Sequence, residues 1–224
     1  MALRVEVREP HSLSTDELEE LFVLFRSAFQ VDKSGFQQDL AEKHKIMMVR
    51  SQETLVAFTS LRLFRPESGV RVYFSGDTYV SPRARLGHRL PSVWARYVFG
   101  QMTPEAKTRD YWLLFCSGYR TYRILPTCFE RYVPGKERDL ELRQLRDRWA
   151  SLIFGERYSD GVVKPKWATP LLQPEPPARL RDDPHVQLFL QQNPGYRAGD
   201  ELVCLIPLEE TNLSSAGRRL VGVS

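Results

Sequence analysis

Sulfur is scarce in this chain. Three cysteines in 224 residues, Cys116, Cys128 and Cys204, lie far apart and form no CxxC pair. That excludes a disulfide framework and the common thiolate metal motifs, and leaves reduced, mostly buried thiols of an intracellular protein. Four histidines, His11, His44, His88 and His185, are equally scattered, so no metal cluster is expected. A nucleophilic cysteine would need a basic partner. Cys116 instead stands inside the apolar run YWLLFC, where a thiol is inert.

Long apolar runs are missing too. Nothing approaches the ~18 consecutive apolar residues of a membrane span. The opening MALRVEVREP has charges where a signal peptide needs an apolar stretch. A soluble, cytoplasmic protein with no membrane contact is therefore expected. No internal repeat is visible.

Lysine is the third scarcity: the chain has 7 Lys against 25 Arg, at a net charge of +4. A planar guanidinium bonds phosphate or carboxylate in pairs, so the excess suits an anionic partner. Three of these arginines crowd into Arg83–Arg89, within VSPRARLGHRL at 80–90.

The pattern of elements is more explicit. Ser14 followed by Glu17 makes a capping box ahead of Leu18, Leu21, Phe22, Phe25 and Phe29 at helical spacing. A second short helix is read over Ser34 to Lys43. Strands follow at Ile46–Arg50, Thr54–Phe64 and Val70–Val80, joined by short polar links that favour an antiparallel meander. After the basic loop come a helix over 90–102, a doubly covered strand at Tyr111–Cys116 and a helix over 118–131. The break Val133-Pro134-Gly135-Lys136 opens a second region: a charged helix at 137–152, a proline-rich surface segment at 165–184, and the apolar strand ELVCLIPL at 201–208. Residues 1–134 read as the core and 135–224 as an extension packed on it. ELVCLIPL extends the main sheet, pairs across a homodimer, or seals a cleft; the sequence leaves all three open.

Strict alternation in the third strand places Val72, Phe74, Thr78 and Val80 on one face, and Tyr73, Ser75, Asp77 and Tyr79 on the other. A β-bulge at Gly76 would shift that register. Such a polar row is costly unless it lines a cleft, which makes Asp77 a candidate general base. The alternative is that Asp77 pairs with a nearby arginine for structure. The backbone N–H groups at the start of the helix after the loop suit an anion, with Arg83, Arg85 and Arg89 beside them and Gly87 permitting close approach.

Helix, helix, meander, anion loop, helix, strand, helix: over roughly residues 15–134 this order resembles the GCN5-related N-acetyltransferase (GNAT) superfamily. Val80-Ser81-Pro82 and the stretch Arg83–His88 resemble the start and the charge of that family's loop, V-x-P-x-x-R/Q-x-x-G-x-G/A. Gly87 stands alone where the family often has two small residues. The resemblance implies an α+β fold with a mixed, mostly antiparallel central sheet flanked by helices. It implies acetyl-CoA or another acyl-CoA as acyl donor, and a pyrophosphate held by Arg83, Arg85, Gly87, His88 and Arg89. It further implies a pantetheine arm along the backbone at Val80, and direct transfer of the acyl group to a small-molecule amine. Thr121-Tyr122-Arg123 resembles the family's A-x-x-Y region, which casts Tyr122 as the acid for the leaving thiolate, with Tyr119 as its competitor and Pro126 in place of a family glycine. The same core would serve an aminoacyl-tRNA or acyl-carrier-protein donor, or a domain that binds acyl-CoA or a partner without turnover.

Overall fold

A computed structural model of the chain describes residues 3–27, 29–81, 84, 89–101, 108–135, 139–165 and 175–222; the side chains of 89–91 are outside the description. The chain begins with strand β1 (Leu3–Arg8), then α1 (Thr15–Arg26) and α2 (Lys33–Ala41). The meander is β2 (Lys45–Ser51), β3 (Thr54–Phe64) and β4 (Val70–Val80), followed by α3 (Arg89–Gly100) and β5 (Arg109–Cys116). Two short helices, α4 (Tyr119–Tyr122) and α5 (Ile124–Cys128), precede α6 (Leu140–Phe154), the two-residue strands β6 (Tyr158–Ser159) and β7 (Val162–Val163), and α7 (Pro184–Gln192). The chain closes on β8 (Glu201–Pro207) and α8 (Ser215–Val221).

All eight strands form one sheet in the order β1-β2-β3-β4-β5-β8-β7-β6. Every pairing is antiparallel except β4 with β5. This is the mixed, mostly antiparallel sheet flanked by helices that the resemblance implies. β8 is buried along nearly its whole length and pairs with β5 from Tyr111↔Pro207 to Cys116↔Leu202. Of the three readings of ELVCLIPL, the sheet-extending one holds within this chain.

Local sequence explains most elements. Ser14 accepts the Glu17 N–H while the Glu17 carboxylate accepts the Ser14 N–H, the reciprocal box that fixes the start of α1. Asp32, ahead of the start expected at Ser34, caps α2. The expected helix over 118–131 is instead α4 and α5, split at Arg123. Pro126 has no N–H to give the Tyr122 carbonyl, so a continuous helix cannot form there. β1 escaped the sequence reading. It is an edge strand whose Val5 and Val7 are more than a third exposed, so its alternation is a weak signal.

The sheet has a helical layer on each face. Met47, Leu61, Tyr73, Trp112 and Cys204 face α3, α4, α5, α7 and α8. On the opposite face, Ile46, Met48 and Phe58 pack on α1 and α2, while Val72, Leu113 and Leu205 pack on α6.

Two irregularities in β4 break the regular sheet. The first is a β-bulge: Ser60 pairs with Gly76 and Phe58 with Tyr79, so Asp77 and Thr78 together stand against Thr59. Asp77 takes φ +36°, a region that Asp tolerates better than most residues. The bulge overturns the strict alternation. Asp77 lies on the α1, α2 and α6 face with Phe74, while Ser75 and Thr78 face the other way, bonding Trp112 Nε1 at 3.0 Å and Thr59 Oγ1 at 2.7 Å.

The second irregularity is a split. β4 and β5 are clamped at their starts, where the Arg71 guanidinium donates to both carboxylate oxygens of the buried Asp110 at 2.6 and 2.7 Å. Their ladder ends at Ser75↔Leu114. β4 nonetheless continues to Val80 alongside β3, and β5 continues to Cys116 alongside β8. Each strand stays with its outer neighbour, so a gap opens between them.

Candidate active site

A cleft of about 460 Å³ occupies that gap. It is lined from both faces of the sheet. Trp94, Trp112, Leu114 and Ile124 wall the α3 side, where the two indoles stack at 4.1 Å. Asp39 and Lys43 from the α2 region, Asp77 from β4, Phe154 from α6 and Glu201 from β8 wall the other.

Asp77 sits at the bulge with its Oδ2 2.8 Å from Lys43 Nζ, and it accepts a bond from Ser60 Oγ at 3.1 Å. Lys43 Nζ is also 2.8 Å from Asp39 Oδ2. Burial raises the Asp77 pKa, the Lys43 charge pulls it back, and Asp39 pushes it up again; it stays above the ordinary carboxylate range. Burial works against the Lys43 ammonium, but Asp77 and Asp39 outweigh it and hold its pKa above the usual lysine value. Of the two sequence-level readings of Asp77, the structure shows an ion pair, with Lys43 rather than an arginine. It also shows Asp77 on the cleft wall.

Glu201 was not singled out from the sequence. It opens β8 and shares a face with Val203 and Leu205, the α6 side. Burial drives its pKa to about 7, the Asp77 charge adds to the rise, and Arg157 opposes it. A carboxyl with a pKa near neutrality, on the wall of a cleft and without an ion-pair partner among the described residues, can take a proton at physiological pH. Only the pairing of β8 with β5 brings it to the cleft.

Of the other expected residues, those with described side chains, Val80, Tyr119 and Tyr122, do not line the cleft. Val80 ends β4, opposite Ala57, and is 37% exposed. Arg83, Arg85, Gly87 and His88 lie outside the described residues. Arg89 opens α3, and its side chain is not described. Tyr122 is fully buried, its hydroxyl donates to the Pro134 carbonyl at 2.7 Å, and burial drives its pKa far up. Tyr119 is buried as well and receives a bond from Arg120 Nε at 3.3 Å. Among described residues of that segment, Ser117, Thr121 and Ile124 reach the cleft wall.

All three cysteines are free and buried; Cys116 and Cys204 face each other with sulfurs 3.8 Å apart, and burial pushes the Cys116 thiol up. Among the described residues there is no group of three metal-binding side chains, and no helix is long and apolar enough to cross a membrane.

No protein-family model and no curated protein matches the sequence. Among solved structures the chain is similar to an acyl-CoA N-acyltransferase from Pseudomonas aeruginosa, at 18% identity over 50% of this chain and 80% of that one, TM-score 0.38. It is similar to a probable N-acyltransferase from Enterococcus faecalis, at 18% identity over 59% of this chain and 33% of that one, TM-score 0.43. It is also similar to Escherichia coli ElaA, at 12% identity over 91% of this chain and 99% of that one, TM-score 0.41. Likenesses this distant do not assign an activity.

Proposed function

We propose that the chain is an N-acyltransferase of GNAT type, which moves an acyl group from a phosphopantetheine thioester such as acyl-CoA to an amine. The observation that carries the reading is the split of β4 from β5, with two carboxylates flanking it on one face of the sheet. A parallel pair that separates after Ser75↔Leu114 leaves the β4 edge from Gly76 to Val80 without a ladder partner on that side among the described residues. Backbone groups on such an edge bond an extended, amide-bearing chain as they would another strand. The pantetheine arm is such a chain, so the residues present fit it. The bound thioester would supply the electrophilic carbonyl.

The chain's own residues do the rest. The gap holds amine and thioester at near-attack distance, and this positioning lowers the barrier most. Backbone N–H groups along the free β4 edge stabilise charge on the carbonyl oxygen. Glu201, with its pKa near 7, takes the proton that the attacking amine loses. Asp77 supports that role from across the cleft. Its charge raises the Glu201 pKa and, with Lys43 and Asp39, keeps that wall polar.

The test combines binding with turnover. Thermal unfolding is followed with free CoA, acetyl-CoA and longer acyl-CoAs, on the wild type and on R83A/R85A. A ligand at 100 times its Kd adds ~2.7 kcal/mol, or roughly 5–10 °C for a chain of this size. A shift that R83A/R85A removes, together with amine-dependent release of free thiol, is expected. No shift with any CoA species sinks the acyl-CoA reading.

A further inference from the structure

We infer that the acceptor amine is that of an α-amino acid with a large apolar side chain, its carboxylate held by Arg157 and its side chain by the phenylalanines beside Glu201. The inference rests on the acyl-transfer reading for its reaction, and on the cleft alone for its binding.

Among the described residues three cations line the cleft: Lys43, Arg62 and Arg157. Two of them have carboxylate partners, Lys43 with Asp39 and Asp77, and Arg62 with Glu42 at 3.1 Å. Arg157, just after α6, differs. Among the described residues no carboxylate lies within 4.0 Å of it, and the one hydrogen bond its guanidinium makes there is a long 3.3 Å contact from Nη1 to the Lys164 carbonyl. Its guanidinium instead sits over the Phe154 ring, 5.4 Å from the centroid. A guanidinium stacked on an aromatic face is held in plane, which leaves its fork available to a carboxylate.

The neighbouring wall is apolar. Phe74, Phe115 and Phe154 meet edge to face, with centroids 4.7, 5.0 and 5.9 Å apart. All three rings are on the sheet face that carries Asp77 and Glu201. Arg157 is near enough to Glu201 for its charge to act on that carboxyl. A cation for a carboxylate, a carboxylate for an ammonium and an aromatic corner therefore lie side by side, a layout that matches the three substituents of an apolar α-amino acid. A plain alkylamine would leave the Arg157 fork without a partner, and a sugar amine would leave the aromatic corner without one.

The reaction balances without an added oxidant or reductant. The ammonium first gives one proton to solvent. The neutral nitrogen then forms a bond to the thioester carbonyl carbon and passes its second proton to Glu201. The C–S bond breaks, and the thiolate leaves with its electron pair and picks up a proton. The products are an N-acyl amino acid, a free thiol and, net, one proton.

The experiment has two arms on the full chain. In the first, calorimetry without any acyl donor compares L-phenylalanine, phenethylamine and L-alanine on the wild type, R157Q and R157K, after circular dichroism has shown each variant folded. Phenylalanine should bind about 10–100-fold more tightly than phenethylamine, the span expected of one paired, charge-assisted carboxylate contact. R157Q should bring that ratio close to one, R157K should restore part of it, and alanine should bind more weakly than phenylalanine. In the second arm, thiol release from acetyl-CoA is followed with the same three amines, and R157Q should raise the KM for phenylalanine relative to that for phenethylamine.

Equal binding of phenylalanine and phenethylamine, or an R157Q effect shared equally by both, overturns the amino-acid assignment even if transfer proceeds. Arg157-dependent phenylalanine binding with no transfer to any amine upholds the amino-acid site and overturns the transferase reading instead. Absence of both overturns both.

Discussion

Lys43 Nζ lies 2.8 Å from Asp77 Oδ2 and 2.8 Å from Asp39 Oδ2, so one ammonium bridges α2 to the bulge of β4. Only 6% of the Lys43 side chain and 15% of the Asp77 side chain are exposed. Removing the cation strands the Asp77 carboxylate in a poorly solvated place. K43M should therefore lose about 3–5 kcal/mol of stability, the usual cost of breaking a buried pair from one side. The double variant K43M/D77N should recover much of that, because it removes the stranded charge. Urea denaturation of the three proteins checks both statements.

Glu201 sets the pH dependence. Its carboxyl, lifted to about 7, forms the proton-accepting carboxylate only as pH rises through neutrality, so transfer should increase across that range and then level. E201Q should lower kcat by about 10²–10⁴-fold and abolish that limb of the profile. Stability runs the other way. A carboxyl whose folded pKa is above its unfolded value of 4.5 holds its proton longer in the folded chain, so stability falls as pH rises from about 4.5 to about 7. E201Q should flatten that slope, which denaturation at a series of pH values would show.

Tyr122 provides a contrast. Its hydroxyl is committed to the Pro134 carbonyl inside the core. Y122F should cost about 1 kcal/mol by leaving that carbonyl unpaired, and should leave kcat within about twofold. A drop of a hundredfold or more with intact stability would instead make Tyr122 the acid for the thiolate. Chemical denaturation and steady-state kinetics on one preparation separate the outcomes.

β8 should be as important to folding as any part of 1–134. Leu205 is fully buried in the middle of the sheet, between β5 and α6. L205A should cost about 2–5 kcal/mol. A chain ending at residue 134 leaves the apolar edge of β5 bare and should aggregate. Thermal melts and gel filtration would test the two in turn.

The sequence by itself determined the local grammar. The capping box at Ser14 and Glu17, the bounds of β3 and β4, and the apolar strand that became β8 each depend on a few neighbouring residues, and their periods and caps survive folding unchanged. It also pointed to a cleft at Asp77, though through a polar row that the bulge dissolves by sending Ser75 and Asp77 to opposite faces. What it assigned by order along the chain was settled in space. Tyr122 stands in the expected segment, yet Pro126 breaks the helix there and its hydroxyl turns to Pro134. The face of Asp77 was decided by a bulge, since one extra residue in a strand of period two sends a side chain to the other side. Only the tertiary structure decided that Glu201, far along the chain and ordinary in its local sequence, faces Asp77 across the split. Strand pairing sets which distant residues meet, and burial at that meeting, not the carboxyl itself, brings its pKa to neutrality.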